Sequence, residues 1–193
     1  MKEKELKTLV EYSEALDNLA KTKSTDVFRN RDHQHAAILL SKILRYSKNS
    51  FILFDDDLKG DIVKHDEVES FRNAVINFIS RGGNIKIVIS DKDANDDLAF
   101  REFLFILTEL FPEQVELKLA KPEFKASMKE IFGEKVNFAV GDTNKFRLET
   151  FENNSKENKT RKAMGSFNDE LMASTLFDAF HTNYESYCME YTQ

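Results

Sequence analysis

Acidic side chains follow two apolar runs of the sequence, residues 51–54 and 85–89, that are typical of buried strands. These acidic residues are Asp55, Asp56 and Asp57 after the first run, and Asp91 and Asp93 after the second. Ligands bind at the carboxyl ends of parallel strands in open α/β sheets, and neighbouring carboxylates there can hold Mg²⁺. A metal-dependent phosphotransferase with Asp55 and Asp57 as its key residues is therefore one hypothesis. The alternative interpretation is a solvated acidic loop.

A second group of polar residues stands late in the chain. It consists of Lys135, Asn137, Asp142, Ser166 and Asn168. Lysine, serine and asparagine side chains donate hydrogen bonds to phosphate oxygens, and lysine adds positive charge. Side chains of these types are able to hold a phosphate group, which needs only hydrogen bonds and positive charge. Ser166 and Asn168 also have a purely structural interpretation, because serine and asparagine cap helix starts.

The spacing of this group resembles the signature of the phospholipase D superfamily, which is His-x-Lys, four residues, Asp, and later Gly-Ser-x-Asn before a helix. Aligned on Asp142, the family's nucleophilic histidine falls on Lys135 and its phosphate-binding lysine falls on Asn137. The Gly-Ser-x-Asn string is intact at 165–168, but the 22 residues 143–164 separate it from Asp142, where the family has six. An inserted hairpin explains the excess.

The resemblance covers residues 33–190 and implies a fold of one βαβαβ half followed by a hairpin and a helix. It also implies a homodimer, because family members with one half-site assemble as two-fold dimers. A lysine is protonated at neutral pH and cannot replace the attacking imidazole unless it is strongly desolvated. The resemblance therefore implies a phosphate-handling scaffold with lost or altered catalysis, and we assign no catalytic residue.

The alternative is an active enzyme, a divergent phosphodiesterase or nuclease that uses His35 or Lys135. His35 and His33 stand at the start of a predicted helix, where their spacing does not converge on a metal ion. Capping and salt bridging at that helix start explain His35 equally well.

Periodicity in the sequence predicts alternating strands and helices, and hence an α/β fold with a mixed, mostly parallel sheet flanked by helices. The predicted helices are at 5–20, 35–46, 68–78, 98–110, 124–132 and 169–189. The predicted strands are at 51–54, 85–89, 115–119, 136–140, 146–148 and 162–166. The highly polar stretch 152–161 predicts a mobile loop. We expect a single domain over 1–193, with an N-terminal helix and linker at 1–31 and the phospholipase D-like part at 32–193.

Composition is typical of a globular domain, with 193 residues, 41% hydrophobic and 32% charged. No apolar run reaches the roughly 20 residues of a membrane span, and the first residues lack a signal-peptide pattern. The single cysteine, Cys188, predicts a buried thiol and suits a reducing, cytoplasmic compartment. A net charge of −6 disfavours general nucleic-acid binding but leaves room for a local basic patch.

Together these observations predict a catalytically degenerate phospholipase D-like domain that acts as a binding or regulatory component. Its expected ligands are phosphodiesters, either nucleic acid or nucleotide, and the alternative is a protein partner. We expect no cofactor, no resident metal and no membrane association. A bacterial mobile-element or defence context is an expectation from analogy alone.

Overall fold

The computed structural model describes residues 3–30, 32–55, 68–90, 98–154 and 158–191. Its helices are α1 (Glu3–Lys21), α2 (His33–Tyr46), α3 (Phe71–Ser80), α4 (Leu98–Leu110), α5 (Pro122–Phe132) and α6 (Glu170–Tyr187). Its strands are β1 (Phe28–Asn30), β2 (Ser50–Asp55), β3 (Asn84–Ile89), β4 (Val115–Ala120), β5 (Val136–Gly141), β6 (Lys145–Asn154), β7 (Asn158–Ser166) and β8 (Cys188–Glu190).

One eight-stranded sheet contains all these strands in the order β1-β7-β6-β5-β2-β3-β4-β8. Strands β2, β3 and β4 are parallel, with α3 and α4 in the connections between them. The predicted α/β fold is therefore confirmed, with one correction. The sheet is not mostly parallel, because the β5, β6 and β7 meander and the edge strands β1 and β8 pair antiparallel.

Helices cover both faces of the sheet, and the alternation of side chains along each strand sorts the core accordingly. Phe51 and Leu53 of β2 pack on the face that α1 to α4 cover. Ile52 and Phe54 pack on the opposite face, against α5 and α6. The first face is called the α2 face below, and the second is called the α6 face.

Helix α2 lies close to the sheet because two strand positions beneath it lack a side chain. A β-carbon at Gly141 would come within 2.6 Å of Ile43 Cγ2, and one at Gly165 within 3.2 Å of Leu39 Cδ2. Residues 36–44 of the helix are all buried. The close approach leaves room for α1 on the outer side of α2, where Leu9 and Leu16 join the core.

A buried ion-pair network holds α1 against α2. Lys42 is only 1% exposed, and its ammonium lies 2.7 Å from both the Asp17 and the Glu69 carboxylates. Tyr46 donates a hydrogen bond of 2.9 Å to Asp17, and Arg45 pairs with Glu69 at 2.8 Å. Burial alone would raise the pKa of Asp17, but the bonds from Lys42 and Tyr46 hold it below its usual value.

The division of the single domain near residue 31, between the N-terminal helix with its linker and the phospholipase D-like part, stays a prediction.

Three parts of the chain differ from the sequence-based expectation. The stretch 152–161 is not a loop, since its described residues pair across β6 and β7 out to Asn154 and Asn158. Strand β1 pairs with β7 at one edge of the sheet and was not predicted. Strand β8 takes the last residues of the predicted final helix, which ends at Tyr187 instead. Polar composition predicts exposure, and exposure is compatible with a strand whose backbone has a pairing partner.

We expect replacement of Lys42 by alanine to lower the free energy of unfolding by about 3 kcal/mol, because it leaves two carboxylates without their buried cation. Urea unfolding followed by far-UV circular dichroism measures this. Lys21→Ala, at an exposed position of α1, is the control and should change stability by less than about 0.5 kcal/mol. Equal effects of the two changes would show that the network does not stabilise the fold.

Candidate functional site

The side chain of Asn137 lies between two carboxylates at the carboxyl end of β2. Strand β5 pairs antiparallel with both β2 and β6. This pairing places Asn137 next to Asp55, at the end of β2, and directly opposite Glu149 on β6. Its amide donates to Asp55 Oδ1 at 3.5 Å and to Glu149 Oε2 at 3.2 Å. All three side chains are on the α2 face and are buried, with Asn137 only 2% exposed.

Arg147 extends this group along β6, two residues before Glu149 and on the same face. It is buried, and its guanidinium lies 3.7 Å from Glu149 Oε1. Asp55, Asn137, Arg147 and Glu149 are called the strand-end cluster below. Its members carry two carboxylates and one guanidinium around an amide. The amide donates to both carboxylates, so that its N–H groups are engaged within the cluster and are not directed at a ligand.

Tyr12 of α1 packs against the core of the α2 face and carries a buried hydroxyl group. Its hydroxyl is buried and has no hydrogen-bond partner among the described residues. Burial raises the pKa of Tyr12, and the nearby charge of Arg147 partly offsets this effect. Through its ring, Tyr12 also touches His35, with ring centres 4.5 Å apart in an edge-on arrangement.

His35 belongs to the cap of α2. Asp32 Oδ1 accepts the backbone N–H of His35 at 3.0 Å and lies 2.7 Å from His35 Nδ1. Asp32 is therefore the N-cap residue of the helix, and the hydrogen bonds from His35 hold the pKa of Asp32 below its usual value although burial would raise it. Asp32 thus caps the helix, and the same carboxylate also orients the imidazole of His35.

Asp142 performs a structural task in the turn between β5 and β6. Its backbone has a positive φ of 52°, and its carboxylate accepts N–H bonds from Lys48 and Asn49 at 3.1 Å and 2.9 Å. The ammonium of Lys145 lies 3.1 Å away. Burial would raise the pKa of Asp142, but these backbone bonds and Lys145 hold it below its usual value. Asp142 thus ties the end of α2 to the hairpin.

Ser166 and Asn168 lie away from the strand-end cluster. Across β6 and β7, Asn137 aligns with Glu149 and then with Ala163, three residues before Ser166. The path from Asn137 to Ser166 crosses two spacings between neighbouring strands and runs three residues along β7, which gives a separation of about 14 Å. Ser166 is fully buried and its hydroxyl accepts the N–H of Asn168 at 3.4 Å. The structure therefore does not bring Ser166 and Asn168 together with Asn137.

Packing explains the Gly-Ser string at this position. Gly165 is the site where α2 and Phe28 approach β7, and Asp169 rather than Ser166 caps α6, through a bond from Met172 N–H at 3.0 Å. Six residues after Asp142, the spacing of the phospholipase D signature reaches Glu149 and Thr150 instead.

Arg147 and Glu149 are the site residues that sequence reasoning missed. Two charged residues at alternate positions within a strand indicate a polar stripe on one face, and this signal was available. The inserted β6–β7 hairpin accounts for the expected excess length between Asp142 and Gly165.

Lys135 comes directly before β5 and is exposed. Its ammonium lies 4.9 Å from the centre of the Phe151 ring, within the range of a cation–π contact. It also lines a groove beside α5, on the α6 face, together with Phe54 and Val136. Lys135 therefore differs from Asn137 in being accessible to a ligand.

One of the five acidic residues that could hold a metal ion falls within the described part of the chain. Asp56, Asp57, Asp91 and Asp93 lie outside the described residues, and Asp55 belongs to the strand-end cluster. Within the described ranges, no three His, Cys, Asp or Glu side chains are grouped so as to hold a metal ion. The described helices include none that is long and apolar enough to cross a membrane. Cys188 is buried as predicted, and burial raises its pKa to about 12.

Comparison with protein-family models and with curated proteins finds no match. Solved structures do match. TrmBL2, an archaeal chromatin protein whose structure shows a novel mode of DNA binding, has a TM-score of 0.59 at 15% identity, over 96% of this chain and 62% of that one. The chain thus spans less than two thirds of TrmBL2.

Two further structures are matched over nearly their whole length. Nuc from Salmonella typhimurium, a phospholipase D family member, has a TM-score of 0.55 at 16% identity, over 87% of this chain and 99% of that one. NucT from Helicobacter pylori has a TM-score of 0.51 at 14% identity, over 86% and 98%. The resemblance in fold is thereby confirmed, and the chain has a phospholipase D-like fold.

We expect Asp142→Asn to lower the free energy of unfolding by roughly 1.5 kcal/mol at neutral pH, because a charged acceptor of backbone N–H groups is lost. The folded pKa of Asp142 lies below its usual 3.8, so this stabilisation is complete above pH 3.8 and is lost as the pH falls through the folded pKa. Urea unfolding at several pH values measures the difference, with Thr143→Ala as the control in the same turn. A difference that persists unchanged in strong acid would contradict the assignment.

Proposed function

We propose that this phospholipase D-like domain binds phosphodiester ligands, nucleic acid or nucleotide, and does not hydrolyse them. It serves as a binding or regulatory component. The observation that carries the proposal is the arrangement at the start of β5, where Lys135 and Asn137 stand in place of the histidine and lysine of the family signature.

The contacts of Asn137 support the loss of hydrolysis. Attack on phosphorus by a side chain needs a nucleophile with an available electron pair, which a protonated lysine lacks, and donors that stabilise the growing negative charge. Asn137 directs its amide to the carboxylates of Asp55 and Glu149. These donors are therefore not available to stabilise a phosphorus transition state at this point, whereas a ligand bound farther out could still contact the exposed Lys135.

A second candidate function rests on His35. Asp32 Oδ1 lies 2.7 Å from His35 Nδ1, and a carboxylate in this position fixes the tautomer of an imidazole that acts as base or nucleophile. A divergent phosphodiesterase that uses His35 is the activity that this contact would support. The contact with the ring of Tyr12 and the capping role of Asp32 favour the structural interpretation instead.

The proposal includes a two-fold dimer and a cytoplasmic location, with a protein as the alternative partner. Light scattering of the purified chain measures the mass. A monomer at micromolar concentration would remove the dimer from the proposal and leave ligand binding to be tested on its own.

We expect no hydrolysis of bis(p-nitrophenyl) phosphate by the purified protein, with Mg²⁺ or with EDTA, because Lys135 stands at the position of the attacking histidine of the family signature. In parallel, the fluorescence anisotropy of a labelled oligonucleotide should report binding that weakens as salt is added, since lysine contacts release counterions.

Each other outcome contradicts a defined part of the proposal. Turnover in EDTA that disappears in His35→Asn, but not in His33→Asn, would establish the second candidate function. Turnover that requires Mg²⁺ would favour the acidic residues after β2. Absence of both turnover and oligonucleotide binding would refute the phosphodiester proposal and leave the protein-partner alternative.

A further inference from the structure

A groove lies on the α6 face between α5 and the start of β5, and none of the residues in the strand-end cluster lines it. Its volume is about 230 Å³, and its lining residues are Phe54, Lys125, Met128, Lys129, Lys135 and Val136. Three of these six residues are apolar and three are lysines. The groove therefore combines two chemical features that most of the surface of an acidic protein lacks.

The bottom of the groove is apolar. Phe54, Met128 and Val136 belong to the core of the α6 face and are almost fully buried beneath it. They come from β2, α5 and β5, three elements whose positions the sheet and its helix layer determine. A rigid apolar bottom of this kind favours a flat apolar group over a hydrated ion.

The rim of the groove is cationic. Lys125 and Lys129 are exposed and stand four residues apart on α5, so that they lie on the same side of the helix, one turn apart. Lys135 stands across from them, before β5. Glu130 and Glu134 stand next to two of these lysines in the chain, and the three lysine side chains are the part of the groove lining that can contact an anion.

We infer that this groove binds one nucleotide unit, with the base against the apolar bottom and the phosphate groups against the lysines. Inorganic phosphate alone would leave the apolar bottom unused, and an apolar molecule would leave the lysines unused. A base that is paired in a duplex cannot reach the bottom. The ligand is therefore a free nucleotide or a single strand with an unpaired base. This inference rests on the proposed phosphodiester binding and adds its location and its preference for unpaired bases.

The test compares two double variants that change the net charge equally. Lys125→Glu with Lys129→Glu reverses the rim of the groove. Lys7→Glu with Lys21→Glu reverses two exposed lysines of α1, which lie outside the groove. The probes are labelled oligothymidylate, the same strand with abasic sites, a duplex of equal length, and ADP as an unlabelled competitor, all measured by fluorescence anisotropy.

We expect the groove variant to weaken binding of oligothymidylate by about tenfold and to reduce the slope of log K against log salt by about 1.4, the value for two lost contacts with single-stranded phosphates. The α1 variant should retain the slope of the unchanged protein. The abasic strand and the duplex should bind more weakly than oligothymidylate. Competition by ADP would identify free nucleotide as a ligand, and its absence would limit the ligand to strands.

Two results would overturn the inference without touching the proposed function. Equal loss of binding in both double variants would place the contact elsewhere or make it nonspecific. Equal affinity for oligothymidylate and the abasic strand would eliminate the base from the bottom of the groove. Lack of any binding by the unchanged protein would refute the inference and the proposed function together. Lys125→Gln with Lys129→Gln repeats the test without charge reversal if circular dichroism shows that the glutamate variant is unfolded.

Discussion

The close packing of α2 on the sheet is the constraint on which the other parts depend. Gly141 and Gly165 supply it, because a side chain at either position would collide with the helix or with the neighbouring strand. With α2 in this position, α1 can pack on its outer side and be held there by the buried Lys42 network. The N-terminus of α2, with its Asp32 cap, is brought to the same edge of the sheet as the carboxyl end of β2.

This packing separates two chemically different regions at that edge. On the α2 face, the strand-end cluster is buried and its amide and guanidinium pair with its own carboxylates. On the α6 face, beyond Phe54, lysines surround an open groove. Buried charges that pair with one another contribute little attraction for an outside anion, whereas a lysine that is exposed to solvent can contact one. This division is the reason why we propose the groove, and not the strand-end cluster, as the place where a phosphodiester ligand would bind.

Sequence reasoning was most successful where one local pattern decides the structure. The helical periodicity of α2 and the apolar runs of β2 and β3 were sufficient to predict the central α/β unit, and the Asp142 turn was sufficient to predict the β5–β6 hairpin. It failed where pairing between strands decides the structure. The polar residues 152–154 and 158–161 lie in strands because the hairpin partner satisfies their backbone groups, and β1 has only three residues, too few for a periodic signal.

The sequence by itself determined the α/β class, the replacement of the signature's histidine and lysine by Lys135 and Asn137, and the burial of Cys188. Each of these follows from residue identity or from local periodicity. Only the tertiary structure decided which polar residues meet. Strand register places Glu149 rather than Ser166 opposite Asn137, and the spacing of α5 and β5 brings Lys125 and Lys135 to one groove. Register depends on pairing between residues distant in the chain, and a shift by one residue would move every side chain to the opposite face.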